Sequence, residues 1–397
     1  MIPVKVCHVA TLTALGGVER ILMDLLSHSH FNKSEHFLVA TSTRPDLIKL
    51  ITDKGFKCFT PTSRFRYDPG KLISIARIIN NNHIDVVHSR NAYANSWANL
   101  SLTILRNPPK LITGEHGTAW SAQPPISWLD RLANQRAKLV VANSKASALM
   151  LENRYKIPST KIRVLYNGIQ IPNYPNVKEV RHLLDLPMDA EIIGSVGRLD
   201  TIKDFRTFVD AAEIVIRKRK NVLFILIGGG PQETFLRSLV ESKEIQNGFK
   251  ITGWRVDARS LIAGLDLYIN TSIRESFGNT LIEAMMMKKP VIAPSVDGIP
   301  EAVQSGETGV LLEPTLPVKK IHTPGGSQYP RFVVRDGNLQ PPLSLDPHFL
   351  ADTIINLLDN PDLREEMGRK GRERATQLFN IERYASDLEN IYQEVVE

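Results

Sequence analysis

Long apolar runs, paired cysteines and clusters of metal-ligating side chains are all missing from this sequence. Its 397 residues hold two cysteines, Cys7 and Cys58. Both fall in strand-like runs, which predicts buried free thiols in a reducing compartment and no disulfide. There is no Cys-x-x-Cys pair and no His-x-x-x-His pair, so no metal site is expected. No apolar run approaches the length of about 18 residues that a membrane span needs, so no transmembrane helix is expected. The opening "VKVCHVA" reads as a core strand and lacks the basic–apolar–small pattern of a signal peptide, which points to a cytoplasmic protein. No nucleic-acid-binding motif is present, and nucleic acid is not an expected partner.

What is there is ordinary in bulk and uneven in charge. Hydrophobic residues make up 42% and charged residues 23% of the chain, as in soluble globular proteins. The length exceeds what one small core needs, so two domains are expected. Residues 1–177 carry 22 Lys and Arg against 10 Asp and Glu, a net of +12. The remainder carries 27 against 32, a net of −5. A basic first half suits an anionic partner, such as a phosphate-bearing acceptor or an anionic membrane surface.

β-rich runs alternate with amphipathic helical stretches. Strands are expected at 4–10, 36–41, 56–61, 84–88, 110–115, 139–143 and 162–166, with helices such as 18–26 and 69–80 between them. "NGIQIPNYPNVKEV" (167–180) breaks this rhythm with Gly168, Pro172 and Pro175, and reads as an interdomain linker. A second series follows at 191–196, 221–227, 249–252, 265–270, 290–293 and 309–312. Alternation of this kind predicts parallel sheets covered by helices on both faces. The fold class is therefore α/β, with two tandem Rossmann-like doubly wound units facing across a cleft, where ligands meet the carboxyl ends of the strands. Residues 315–347 form a Pro/Gly-rich excursion, with a hairpin suggested at Asp336-Gly337. Asn380 is placed to cap a last helix running through Val395.

Chemistry-bearing residues gather at strand ends. In "SIRESFGNTLIEAMMMKKPVIA", Gly278 allows a close backbone approach and Asn279 reads as the N-cap of the next helix. A helix N-terminus there suits phosphate or sugar. Glu275 and Glu283 flank it, and carboxylates accept hydrogen bonds from vicinal hydroxyls. Equally, spacing alone permits Glu275 as a plain loop residue and Glu283 as a helix-surface charge. "GSVGRLDTIKD" puts Arg198 and Lys203 after a strand, where two cations neutralise a diphosphate. "FILIGGGPQ" sets Gly229 between strand and helix, and "LTALGGVER" does the same with Gly16 and Gly17. Neither matches a dinucleotide fingerprint. His116 in "TGEHGTAW" follows a strand and is placed to bond a substrate hydroxyl.

Together, "ALGGVER", "EHGTAW", "NSKA", "LYNGI", "SVGRLDTIKDF", "LIGGGP", "ITGW" and the Glu275/Glu283 pair within "RESFGNTLIEAM" resemble the family 4 retaining glycosyltransferases of GT-B fold, over residues 4–314 and the terminal helices. That resemblance implies an acceptor-binding domain at 1–170, with a helix at about 381–397 packing back on it, and a nucleotide-sugar-binding domain at 171–380. It implies transfer of a sugar, with retention, from a nucleotide sugar, commonly of uridine, to a hydroxyl of a glycan or lipid-linked acceptor. Cell-surface polysaccharide or glycolipid synthesis is the implied setting, with peripheral membrane contact. No cofactor is implied: the nucleotide sugar is a substrate, and the lack of Asp-x-Asp agrees with a metal-independent reaction. By position, His116, Arg198, Lys203 and Glu275 would form the catalytic set. Gly16, Gly17, Gly229, Trp254, Phe277, Gly278, Asn279, Thr280, Leu281 and Glu283 would complete the donor site. Two other readings fit the resemblance: another GT-B enzyme such as a nucleotide-sugar epimerase, and an inactive nucleotide- or glycan-binding homologue. One departure stands out. Met286, Met287 and Lys288 replace the small residue and glycine usual before Lys-Pro, so a different helix end is expected there.

Overall fold

The computed structural model describes every residue except 1–2, 13–15, 29–30, 44, 54, 63–67, 118–125 and 171–175. Pro172 and Pro175, the end of "EHGTAW" and the start of "ALGGVER" fall outside the described residues. The chain divides into two compact units, one made of 1–170 with 379–397 and the other of 171–378.

The first unit is built on seven parallel strands: β1 (Lys5–Leu12), β2 (Glu35–Thr43), β3 (Lys57–Phe59), β4 (Val86–Arg90), β5 (Lys110–Glu115), β6 (Leu139–Ala142) and β7 (Ile162–Val164). Their order is β3-β2-β1-β4-β5-β6-β7. The order in which strands are added reverses between β1 and β4, so the carboxyl ends of these two strands mark the ligand position of such a sheet. Val6, Val9, Val39, Val86, Ile112 and Val140 are buried, as β-branched residues are in a sheet covered on both faces.

The terminal helix, Ile381–Val396, closes this unit. Asn380 caps it by accepting from the Arg383 N–H at 2.7 Å. It buries Ile381, Tyr384, Leu388, Ile391, Tyr392 and Val395. Each such apolar side chain contributes about 1.5–3 kcal/mol when removed from water. Its polar face is matched as well. Glu389 accepts from the Ser34 hydroxyl at 2.5 Å and pairs with His36 at 3.2 Å. The Tyr392 hydroxyl lies 2.7 Å from His88 Nδ1, and buried Arg90 donates to the Tyr384 hydroxyl at 3.0 Å. Gly168 touches the helix so closely that a Cβ there would lie 2.4 Å from that of Tyr384.

The second unit has six parallel strands: β8 (Glu191–Val196), β9 (Val222–Ile227), β10 (Phe249–Ile251), β11 (Leu267–Ile269), β12 (Val291–Pro294) and β13 (Gly309–Leu312). Their order, β10-β9-β8-β11-β12-β13, repeats the plan of the first sheet. Within its core Phe208 packs edge-on against both Phe224 and Phe249. The excursion adds two small antiparallel pairs. β14 (Leu316–Pro317) pairs with β17 (Leu343–Ser344), and β15 (Val333–Arg335) with β16 (Asn338–Gln340). Asp336 and Gly337 form the expected turn with φ of +49° and +70°, as a two-residue hairpin with both turn residues left-handed requires.

Two local expectations need correction. The stretch 167–180 is not all linker: Asn176 caps a helix over Val177–Leu183, accepting from the Lys178 N–H. The helix Asn279–Met286 does not lose its left-handed end. Lys288 takes φ +57° in place of a glycine, and its neighbour Lys289 donates back to the Ala284 carbonyl at 2.9 Å. Among the described residues, no helix is long and apolar enough to cross a membrane.

Candidate active site

Four loops at the carboxyl ends of β8, β9, β10 and β11 carry most of the expected site residues. After β8 the chain runs Gly-Arg-Leu-Asp into a single 3-10 turn, Thr201–Lys203, and then the helix Phe205–Lys218. Asp200 caps the turn, accepting from the Thr201 N–H at 2.7 Å. The three glycines after β9 let this loop lie flat against its neighbour. A Cβ at Gly228 would fall 1.9 Å from the Gly197 carbonyl oxygen, and one at Gly230 would fall 2.5 Å from that of Leu199. The space that a phosphate cradle would use at Gly228 and Gly230 is filled by backbone. Gly229 packs on the Trp254 backbone and accepts from the Leu199 N–H at 3.0 Å. These glycines therefore fix the loop that bears Arg198 and Lys203.

The β11 loop closes on the same turn. Ile273 donates its N–H to the Ile202 carbonyl at 2.9 Å, and the Thr271 hydroxyl donates to the Lys203 carbonyl at 2.9 Å. This zipper brings Lys203 and Glu275, 72 residues apart, into an ion pair. Both side chains are partly exposed, so the pair faces solvent on one side. Arg198 is 63% exposed and lies 3.4 Å from Asp200 and 3.4 Å from the Gly325 carbonyl. Trp254 is 65% exposed after β10, with its indole on the surface.

Gly278, and not Asn279, caps the following helix. It takes φ +93°, a conformation that glycine adopts without strain, and accepts from the Leu281 and Ile282 N–H groups. Asn279 is the first helical residue. Phe277 and Leu281 are buried anchors, so only their backbones can meet a ligand. Thr280 bonds the buried Tyr268 hydroxyl, which reaches the Val196 carbonyl at 3.2 Å. Glu283 is neither on the surface nor alone: Arg259 Nε sits 2.8 Å from its carboxylate, with side-chain exposures of 12% and 8%. Arg259 was not evident in the sequence, because it lies on a four-residue helix, Ala258–Leu261, with no periodicity to mark it.

Three aspartates, Asp200 and Asp297 buried and Asp204 half-buried, lie around the pair. Asp200 is pushed up by burial but held below the usual range by the Ser327 N–H and hydroxyl. Burial raises Asp204 to about 6, against hydrogen bonds from the Thr207 and Ser344 hydroxyls. Burial raises Asp297 to about 7, against the Val334 N–H and the charge of Arg274. Nothing in the sequence singled these out.

The other expected residues belong to the first unit. His116 follows β5, and burial, with the Arg90 charge adding to it, lowers its pKa to about 3. Its ring is therefore neutral near pH 7. Gly16 caps the helix Gly17–Leu26 with φ −83°, which any residue can adopt. What its missing Cβ permits is the return of the Glu19 carboxylate, which would lie 2.7 Å from such an atom. The structure thus gathers Arg198, Lys203, Gly229, Trp254, Glu275, Phe277, Gly278, Asn279, Thr280, Leu281 and Glu283 on one unit, and Gly16, Gly17 and His116 on the other. Among the described residues, no group of three or more His, Cys, Asp or Glu is arranged to hold a metal ion.

Known proteins share both the sequence pattern and the architecture. Residues 15–171 match the family model described as Glycosyltransferase Family 4, and residues 190–321 match that described as Glycosyl transferases group 1. N-acetyl-alpha-D-glucosaminyl L-malate synthase of Bacillus anthracis is 26% identical over 344 residues, covering 84% of this chain and 82% of the relative. UDP-Gal:alpha-D-GlcNAc-diphosphoundecaprenol alpha-1,3-galactosyltransferase of Escherichia coli is 22% identical over 331 residues, covering 78% and 84%. The crystal structure of HepE from Anabaena in complex with UDP-glucose superposes with a TM-score of 0.79 at 20% identity, covering 98% of this chain and 99% of that one. A glycosyltransferase from Rickettsia africae superposes with a TM-score of 0.79 at 20% identity over the whole of both chains. The fold is GT-B, and the chain belongs to the family 4 glycosyltransferases.

Proposed function

We propose that this glycosyltransferase moves a sugar from a UDP-sugar to a hydroxyl of a glycan or lipid-linked acceptor, with retention and without a metal ion. The observation that carries this reading is the Lys203–Glu275 pair, set beside a helix N-terminus at the ligand end of the second sheet. A departing nucleoside diphosphate gains negative charge. Fixed cations at Arg198 and Lys203 stabilise that charge most where it develops. Glu275 accepts hydrogen bonds from donor-sugar hydroxyls, and Glu283 does the same for the ribose. Gly16, Gly17 and His116 lie on the first unit, where His116 is a neutral ring able to hydrogen-bond a substrate hydroxyl. In the step itself, the acceptor oxygen bonds to the anomeric carbon on the face from which the diphosphate leaves. The carbon–phosphate-oxygen bond breaks, and the acceptor proton passes to the departing phosphate oxygen. A complex with UDP-glucose in one structural neighbour and a UDP-Gal donor in one relative's name support the choice of base.

Peripheral contact of the first unit with an anionic membrane belongs to the same reading. The helix Ile126–Arg136 exposes Trp128 (72%), Arg131, Leu132 and Arg136 along one side, an apolar and basic stripe suited to an interface.

A thermal-shift screen against UDP, GDP, ADP and TDP and their sugar conjugates tests the donor assignment. A stabilisation by UDP compounds, lost when Glu283→Leu is combined with Arg259→Met, is expected. No shift with any nucleotide would overturn the reading. Sugar transfer should persist in EDTA; loss restored by Mn²⁺ would refute metal independence.

A further inference from the structure

The excursion at 315–347 runs past the end of the family match at residue 321 and lies across the loops of the candidate site. β14 and β17 close its base. Besides the contact of Arg198 with the Gly325 carbonyl, the excursion is tied down at four places. Ser327 donates from its N–H at 2.6 Å and its hydroxyl at 2.7 Å to the Asp200 carboxylate. Gln232, after β9, reaches the Thr323 hydroxyl at 3.3 Å. Ser344 bonds Asp204. The fourth tie is Asp297, after β12, which is 5% exposed and has φ +49°.

Asp297 does two things at once. One carboxylate oxygen accepts from the Val334 N–H at 2.7 Å, while the Asp297 N–H donates to the Val334 carbonyl at 2.8 Å. Its other oxygen accepts from the Glu275 N–H at 3.0 Å. The next residue, Gly298, donates to the Glu275 carbonyl at 3.1 Å, and a Cβ at Gly298 would sit 2.2 Å from the Ser276 carbonyl oxygen. Glu275 is thus held at both its N–H and its C=O by consecutive residues, and the same carboxylate clasps the excursion.

We propose that Asp297 is a positioning residue of the transferase site: it sets the Glu275 backbone and makes the excursion a working part of the donor site. This rests on the function proposed above. The arrangement has a definite chemical requirement. Two N–H donors face one side chain, so both oxygens must accept. An amide has one acceptor and one donor end and can satisfy only one of them. Asparagine still tolerates the left-handed backbone, so Asp297→Asn changes the hydrogen bonding and not the main-chain conformation.

Three measurements on the full-length chain test this. In Asp297→Asn, kcat for sugar transfer should fall about tenfold, while the Kd for UDP stays within about threefold of the parent, because the diphosphate cations are untouched. Hydrogen exchange should speed up in two separate segments, 272–278 and 333–340. Val334→Pro removes the excursion's N–H, along with a buried valine side chain, and leaves the Glu275 bond in place; kcat should fall about threefold. Transfer by Asp297→Asn with kcat and donor KM within about twofold of the parent would overturn the positioning role. Parental kcat in Val334→Pro would overturn the part assigned to the excursion. If Asp297→Asn does not fold, Val334→Pro decides. If the parent chain transfers sugar from no nucleotide donor, the proposed function fails, and exchange alone judges Asp297. Unchanged rates at 272–278 would then refute it.

Discussion

At the scale of single residues, the site is a set of paired charges whose partners differ in how far they were legible. Lys203 and Glu275 could be found because each follows a strand, and a doubly wound sheet puts ligand residues there. Their pairing with each other could not be found, since it depends on the backbone zipper from Ile273 to Ile202. Lys203→Ala should lower kcat about 100-fold with a smaller change in UDP affinity, because the ammonium meets charge that grows in the transition state. Steady-state kinetics beside calorimetry with UDP checks this, and equal losses would remove the assignment. Glu283 needs a different design. Removing it alone leaves Arg259 buried without its counterion, at a cost of roughly 3–5 kcal/mol. Glu283→Leu with Arg259→Met should recover most of the lost melting temperature but not nucleotide binding. Recovery of both would mark Glu283 as a structural residue.

At the scale of elements, the alternation of strand and helix gave the two sheets nearly whole, because period and turn residues agree along most of the chain. Strand ends moved by a few residues where hydrogen bonding stopped before the apolar pattern did, as in β11 (Leu267–Ile269) against an expected 265–270. The excursion resisted reading: its ties are single side chains reaching distant loops, and no periodicity records them. The end of the helix Asn279–Met286 shows how tertiary contact overrides a local rule. Lys288 holds a left-handed turn that costs about 1–2 kcal/mol for a side-chain-bearing residue. The facing helix Pro361–Leu378 admits that turn because Gly368 lies against the Lys288 carbonyl, where a Cβ would come within 2.1 Å of the oxygen. Gly368→Ala should therefore destabilise the protein by about 1–3 kcal/mol, despite alanine's better helix propensity. Denaturant unfolding, followed in the second unit, measures it.

At the scale of the whole molecule, the two units respond differently to acid. In the first, His8 and His88 are held far below their usual pKa, chiefly by burial, and stay neutral when folded. The unfolded chain takes up those protons as pH falls through about 6.5, so folded-state stability is lost below that value. The slope from these two groups approaches about 2.7 kcal/mol per pH unit once the unfolded histidines are fully charged. His8→Gln should lower the measured slope by about 1.4 kcal/mol per pH unit, read from urea titrations between pH 4 and 6 at roughly 0.5-unit spacing. Asp204 and Asp297 in the second unit have raised pKa values and act oppositely, giving stability that is lost as pH rises through about 6 and about 7. Proteolysis or hydrogen exchange resolved by unit should show the first unit opening earlier in acid.

The terminal helix also inverts the order of biosynthesis and assembly. Residues 171–378 are translated in full before the ribosome reaches residue 379, whereas the sheet begun first cannot bury His88, Arg90 or Gly168 against Tyr384 and Tyr392 until the last stretch emerges. Domains usually mature from the N-terminus onward during synthesis. Here the unit started first is finished last. Nascent chains arrested before residue 379 should therefore carry a protease-resistant second unit behind a cleavable first one.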